Sequence, residues 1–167
     1  MNTWQIRMRR WAVAALFVCL SAAAPAATLM GRVVAISDGD TVLVRDARGN
    51  THKVRLAGID APELGQAFGN PARRNLWKHV YRREVTVEWY KTGPYTDMVG
   101  IVRVGEVDVN LEQLRAGMAW WYRHYADEQS REDRALYEQA EDRARFSRRG
   151  LWVDARPTPP WDWRKRR

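Results

Sequence analysis

The chain carries a single cysteine, Cys19, in an apolar run near its N-terminus. It can form no internal disulfide and no thiolate cage, so any metal site must rest on oxygen or histidine. Histidine is also scarce. His52, His79 and His124 are scattered, which argues against a histidine metal centre or a histidine base. No apolar run is long: the stretch Trp11–Leu20 falls short of the ~20 residues that cross a bilayer. Acids are in the minority, 20 Asp and Glu against 28 Lys and Arg, for a formal net charge of +8.

The N-terminus is patterned for export. Arg7, Arg9 and Arg10 precede the apolar run, which trails into small residues, and Ala24-Pro25-Ala26 offers an A-x-A cleavage pattern. Residues 1–27 therefore read as a secretory signal peptide cleaved near Ala26, with a short membrane anchor as the alternative. Phe17-Val18 before Cys19 is too bulky for lipoprotein processing. The expected product is a secreted or periplasmic monomer with no stable membrane partner. Removing the signal takes three arginines and no acid, leaving 25 basic against 20 acidic residues. That excess favours polyanions such as nucleic acid. Nine tryptophans supply a core and surfaces on which bases can stack.

Residues 28–153 read as one domain, followed by a Pro/Trp/Arg-rich tail over 154–167. The periodicity predicts strands over Leu29–Ile36, Thr41–Arg45 and His52–Leu56, with Val54 and Leu56 inward and Arg55 on the other face. A helix is predicted from the Asn70 cap and Pro71 to about Arg82, with Ala72, Leu76, Val80 and Trp77 inward. Strands follow at Glu84–Trp89 and Val99–Val104, with Lys91–Thr96 as a loop. Asn110 is expected to cap a short helix, Met118–Tyr125 to run extended, and Ser130 with Asp133 to open a last helix whose stripe is Leu136, Ala140 and Ala144. The tail from Pro157 is expected to be irregular, either a phosphate-binding tail or a solvated end. This order predicts an α+β fold, a five-stranded OB-type Greek-key β-barrel with three helices.

Two acid clusters stand out in this basic chain: Asp38-Gly39-Asp40-Thr41 and Asp60-Ala61-Pro62-Glu63, with Arg55 between them. Phosphodiester hydrolysis needs a cation to polarise the phosphate, a base for water and positive charge for the transition state. Asp40 and Asp60 suit a hard cation, with the Ala61 carbonyl as a third oxygen and Asp38 behind them. Glu63 suits the base, and the planar fork of Arg55 suits the phosphate. Taken singly, each cluster is also an ordinary turn.

Val33-x-x-Ile36-x-Asp38-Gly39-Asp40-Thr41 and Arg55-Leu56-x-Gly58-Ile59-Asp60-x-Pro62-Glu63 resemble the staphylococcal nuclease family. Gly65-Gln66-x-Phe68-Gly69, Val109-Asn110 with Leu114, Gly117 and Ala119, and Gly150-Leu151-Trp152 extend the resemblance from about Leu29 to Trp152. It implies an OB-type barrel and cleavage of DNA and RNA with low base specificity, dependent on one Ca²⁺ ion. It further implies Asp40 and Asp60 as metal ligands, Arg55 as a phosphate-binding catalytic arginine and Glu63 as general base.

One departure is plain. Family members usually carry a second catalytic arginine in an Asp-x-Tyr-Gly-Arg segment, and this chain reads Gly93-Pro94-Tyr95-Thr96-Asp97. Tyr95 is kept and Asp97 stands at the arginine position. Lys91 and Arg103 are each six residues from Asp97, ~20 Å along an extended strand, too far for simple replacement. Tyr95 and Tyr125 are the candidate nucleic-acid-stacking aromatics. A slow nuclease is therefore expected, with a catalytically impaired module that binds nucleic acid or another polyanion as the alternative. A module for a protein partner is a third reading, with no support beyond the fold.

Overall fold

The computed structural model describes residues 27–93 and 97–166. Tyr95 and the segment read as a signal peptide, apart from Ala27, lie outside the described residues.

Strands β1 (Ala27–Ile36), β2 (Thr41–Asp46) and β3 (Thr51–Leu56) form an antiparallel meander. The two-residue β4 (Ile59–Asp60) and helix α1 (Gly69–Val80) follow. Strand β5 (Glu84–Thr92) pairs with β1, and β6 (Met98–Val104) pairs with β5. β6 then runs parallel to β3, with Val54 opposite Met98, Arg55 opposite Val99 and Leu56 opposite Gly100. That pairing closes a five-stranded barrel, as an OB-type fold requires. Val33, Val42, Val44, Val54, Leu56, Val85, Val87 and Val102 fill it, all buried. These alternate with outward residues, so Arg55, between Val54 and Leu56, projects from the barrel face.

β7 (Val107–Asp108) leads into α2 (Val109–Arg115). Asp108, rather than Asn110, caps α2, accepting from the Leu111 N–H at 2.9 Å. Asn110 lies inside the helix and is fully buried. It accepts from Val102 N and donates to the carbonyls of Ala57 and Gly100. A side chain that can both donate and accept is used at the barrel seam rather than at a helix end.

The predicted extended run Met118–Tyr125 is only partly extended. β8 (Trp120–Trp121) pairs with β4, Asp60 opposite Trp120, and a 3₁₀ turn takes over at Arg123–Glu128. Trp120 and Trp121 are both buried because separate clusters receive them. Trp121 enters the barrel core; Trp120 packs with Ala144, Leu151 and Trp152. Helix α3 (Arg131–Phe146) begins as expected, the Ser130 hydroxyl accepting from Asp133 N at 3.0 Å. Ala140 and Ala144 face inward as expected, but Tyr137 is buried in place of Leu136, which is exposed.

Three other expectations change. α1 starts at Gly69, with Phe68 at its cap in a left-handed conformation (φ 66°) and no side-chain cap. Asn70 is thus already helical. Trp77 points outward and stacks on Tyr81 at 5.1 Å. The tail is not irregular throughout. After a 3₁₀ turn at Gly150–Val153 it forms a one-turn helix, α4 (Pro160–Arg164), which packs back onto the protein. Trp161 stacks on Tyr122 at 5.3 Å and meets Trp120 edge-on at 5.6 Å.

Candidate active site

The first acid cluster is the turn between β1 and β2; the second follows β3 through β4. Gly39 explains how closely they meet. A Cβ there would lie 2.6 Å from the Ala61 Cβ and 2.7 Å from the Ala72 Cβ, so only glycine lets this turn press against the second cluster and α1. Gln113 of α2, fully buried, fixes the contact by donating from Nε2 to the carbonyls of Gly39 (2.6 Å) and Ala72 (3.1 Å). Asn75 Nδ2 donates in turn to Gln113 Oε1 at 2.6 Å.

Asp40 is 4% exposed and Asp60 is 0% exposed. Asp40 Oδ1 accepts from the Thr41 hydroxyl at 2.9 Å, and Oδ2 accepts from the Ala61 N–H at 2.8 Å. The two clusters are therefore directly bonded. Asp38 Oδ1 accepts from Asp40 N at 3.0 Å, which places Asp38 behind Asp40. Arg55 Nη2 lies 3.0 Å from Asp60 Oδ1 and 3.8 Å from Asp40 Oδ2. Glu63 is held by its backbone, its N–H donating to Gln66 Oε1 and its carbonyl accepting from Gln66 N.

Arg164 belongs to the Trp161–Arg167 tail, which the sequence offers as either phosphate-binding or a solvated end. It reaches the same acids from α4. Nη1 donates to Asp60 Oδ1 (3.1 Å) and Glu63 Oε1 (2.8 Å), and Nη2 donates to Asp60 Oδ2 (2.7 Å). The tail is thus tied to the acids at this point, although the Arg164 side chain stays 40% exposed. The aromatic content of residues 161–163 was the available signal: tryptophans are poorly suited to a solvated end.

The electrostatics follow from burial. Asp38 is pushed up to about 7, first by burial and then by the Asp40 charge. Burial also raises Asp60, against the opposing Arg164 hydrogen bonds. The Asp40 carboxylate raises Arg55 further, and the Asp60 hydrogen bonds do the same for Arg164.

Among the described residues no three His, Cys, Asp or Glu side chains converge as a metal-binding group. A cation here would rest on the Asp40 and Asp60 carboxylates and be completed by backbone oxygen and water. The donor set fits a hard divalent ion: all its donors are oxygen. Arg55 pairs with Asp40 and Asp60, and Arg164 with Asp60 and Glu63.

Asp97 has its own partner. Its carboxylate pairs with Lys53 Nζ at 2.9 Å, so its charge is compensated locally instead of facing the phosphate side uncovered. Lys91 is engaged with Glu128 at 2.6 Å and lies over the Tyr125 ring, and Arg103 is engaged with Glu88. Tyr125 is exposed and meets Tyr122 edge-on at 5.2 Å.

The profile of staphylococcal nuclease homologues matches residues 53–154. The chain is 39% identical over 163 residues to a micrococcal nuclease of Shigella flexneri, covering 92% of this chain and 91% of that one. It is 37% identical over 134 residues to an uncharacterized endonuclease of Haemophilus influenzae, covering 80% of this chain and 72% of that one. A further relative, ParB of Escherichia coli, is 39% identical over 163 residues, 92% of this chain and 89% of that one. With the closed barrel and the joined acid clusters, these matches establish that the chain belongs to the staphylococcal nuclease family.

Proposed function

We propose that the protein is an exported, Ca²⁺-dependent nuclease that hydrolyses phosphodiester bonds of DNA and RNA with low base specificity. The observation that carries this reading is the direct joining of the two acid clusters, Ala61 N to Asp40 Oδ2 at 2.8 Å, beneath Arg55 and beside Glu63.

Asp40 and Asp60 would hold the ion, with the Ala61 carbonyl; when bound, it supplies positive charge that polarises the phosphodiester. Arg55 grips a non-bridging phosphate oxygen with donors already oriented by Asp40 and Asp60. Glu63 accepts a proton from water as the water oxygen bonds to phosphorus. The ester P–O bond breaks, its electron pair leaves with the departing oxygen, and that oxygen takes a proton from solvent. Asp38 holds the Asp40 backbone N–H rather than contacting substrate. Tyr125, exposed beside Tyr122, offers a face for a base, which reads no sequence and suits low base specificity.

Binding without cleavage was favoured by Asp97 at the position of a family arginine. The Lys53 contact weakens that argument, because it masks the acid. Purified protein incubated with plasmid and with single-stranded DNA and RNA should cleave all three in Ca²⁺ and none in EDTA. A folded protein that binds these polymers in a salt-dependent way and leaves them intact in Ca²⁺ would establish the binding module instead.

A further inference from the structure

The phosphate side of the site has one evident cation, Arg55, and hydrolysis of a phosphodiester concentrates negative charge on the phosphoryl oxygens and on the departing oxygen. One guanidinium, already shared between two buried carboxylates, is a thin provision for that charge. Among the described residues Lys53, Lys91 and Arg103, the nearest basic side chains in sequence to Asp97 or Arg55, are paired with Asp97, Glu128 and Glu88. Arg164 is different. Its fork touches the candidate base and a candidate metal ligand together. It also shares an atom with Arg55: both guanidiniums donate to Asp60 Oδ1, at 3.0 and 3.1 Å. Two planar forks meeting on one oxygen, beside the group that must deprotonate water, border the space a scissile phosphate has to enter.

The geometry points to Arg164 as the second cationic contact of the scissile phosphate, delivered by the C-terminal segment in place of the arginine that the 93–97 segment lacks. This rests on the nuclease reading above and deepens it. In the absence of a cation and substrate, the guanidinium neutralises Asp60 and Glu63. Asp60 would hold a divalent ion, which would supply the positive charge that Arg164 now gives that carboxylate, and Glu63 at 2.8 Å from Nη1 would keep the guanidinium beside the phosphate.

The segment is built to present this residue. Pro160 opens α4 and is buried. Trp161 stacks on Tyr122 and touches Trp120, whose strand pairs with Asp60 itself. Gln66, which holds the Glu63 backbone at both N–H and carbonyl, also donates through Nε2 to the Thr158 carbonyl. The loop carrying the base and the segment carrying Arg164 are therefore one hydrogen-bonded unit. Substrate charge, base and second cation are linked by the fold and not by chance proximity of a terminal arginine.

The test uses the full chain and the variants Arg164→Ala and Arg164→Lys. Three quantities are read: kcat on single-stranded DNA at saturating Ca²⁺, Ca²⁺ affinity by calorimetry, and the salt dependence of binding to a phosphorothioate oligonucleotide. Loss of one preorganised donor should lower kcat of Arg164→Ala by about 10²–10³-fold, and Arg164→Lys, a point charge without the fork, should recover part of it. Ca²⁺ should bind Arg164→Ala at least as tightly as the parent, since the guanidinium no longer competes for Asp60. The slope of log affinity against log salt should shrink by about one contact. Unchanged or faster cleavage by Arg164→Ala would overturn the proposal and identify the guanidinium as a plug on the acids. Loss of kcat together with loss of Ca²⁺ binding would overturn it too, as a purely structural role. If the parent chain itself does not cleave, the nuclease reading fails, and the salt slope still reports whether Arg164 touches phosphate.

Discussion

Gln113→Leu removes the one buried amide that holds the Asp38–Asp40 turn to the helices. The replacement is close in volume, so the chief loss is polar. The Gly39 and Ala72 carbonyls lose the Nε2 donor at 2.6 and 3.1 Å, and Asn75 loses the Oε1 acceptor at 2.6 Å. Gly39 has no helix to satisfy its carbonyl otherwise. A net hydrogen bond is worth about 1 kcal/mol and an orphaned buried carbonyl costs about 1–3 kcal/mol, so the variant should lose about 2–4 kcal/mol of stability. In urea, at a slope of about 2 kcal/mol per molar, the midpoint should fall by about 1–2 M. Asn75→Ala orphans the buried Gln113 Oε1 but leaves the Gly39 carbonyl its donor, and should cost about 1–3 kcal/mol. Ca²⁺ affinity measured by calorimetry under folding conditions should fall more for Gln113→Leu than for Asn75→Ala, because only the former frees the turn carrying Asp40. Equal urea midpoints for Gln113→Leu and the parent would refute the assignment of Gln113 as the anchor of that turn.

Other expectations follow from the same contacts. Without metal, Asp38, raised to about 7 by burial and the Asp40 charge, favours the folded state while protonated. That contribution is complete below the ordinary carboxyl range and is lost as pH rises through about 7. The urea midpoint in EDTA should therefore be higher near pH 5 than near pH 8, and Asp38→Asn should flatten the difference; a midpoint that rises over that interval contradicts the assignment. Glu141 is fully buried and accepts from Trp121 N at 3.0 Å and from Arg123 Nη1 at 2.7 Å. Glu141→Ala leaves the buried Trp121 N–H unanswered, while the half-exposed Arg123 turns to water, and should destabilise by about 1–3 kcal/mol in thermal or urea unfolding.

The barrel was legible because its signal is local. Val42, Val44, Val54 and Leu56 alternate with outward residues, and the Asp-Gly-Asp turn punctuates them. The same local pattern placed Arg55 outside the core. Asp40, Asp60 and Glu63 stood out as a candidate site because two acid clusters flank the strand that carries Arg55, though each cluster alone is an ordinary turn. What remained hidden depends on contacts between distant segments. Asn110 looked like a helix cap because asparagine favours that position, yet the barrel seam offers it three buried backbone partners. Leu136 looked like the inward residue of α3, but the Asp108 carboxylate accepts a hydrogen bond from Tyr137 and that neighbour is buried instead. Trp77 is apolar by type but finds its partner in Tyr81 on the surface. Arg164 is the largest gap. It stands more than a hundred positions from Glu63 in sequence, and the packing of Trp161 on Tyr122 and Trp120, with the Gln66–Thr158 hydrogen bond, brings it to the acids. The meaning of Asp97 likewise turned on a partner, Lys53, on another strand.

The central claim is that Glu63 accepts the proton of the attacking water in a site whose charge is otherwise set by Asp40, Asp60 and Arg55. The direct measurement is kcat on single-stranded DNA in saturating Ca²⁺ for Glu63→Gln, with unfolding midpoint and Ca²⁺ affinity determined on the same preparation. The expected result is a fall of about 10²–10⁴-fold with the fold intact and Ca²⁺ still bound. Cleavage by Glu63→Gln at the rate of the parent would contradict it.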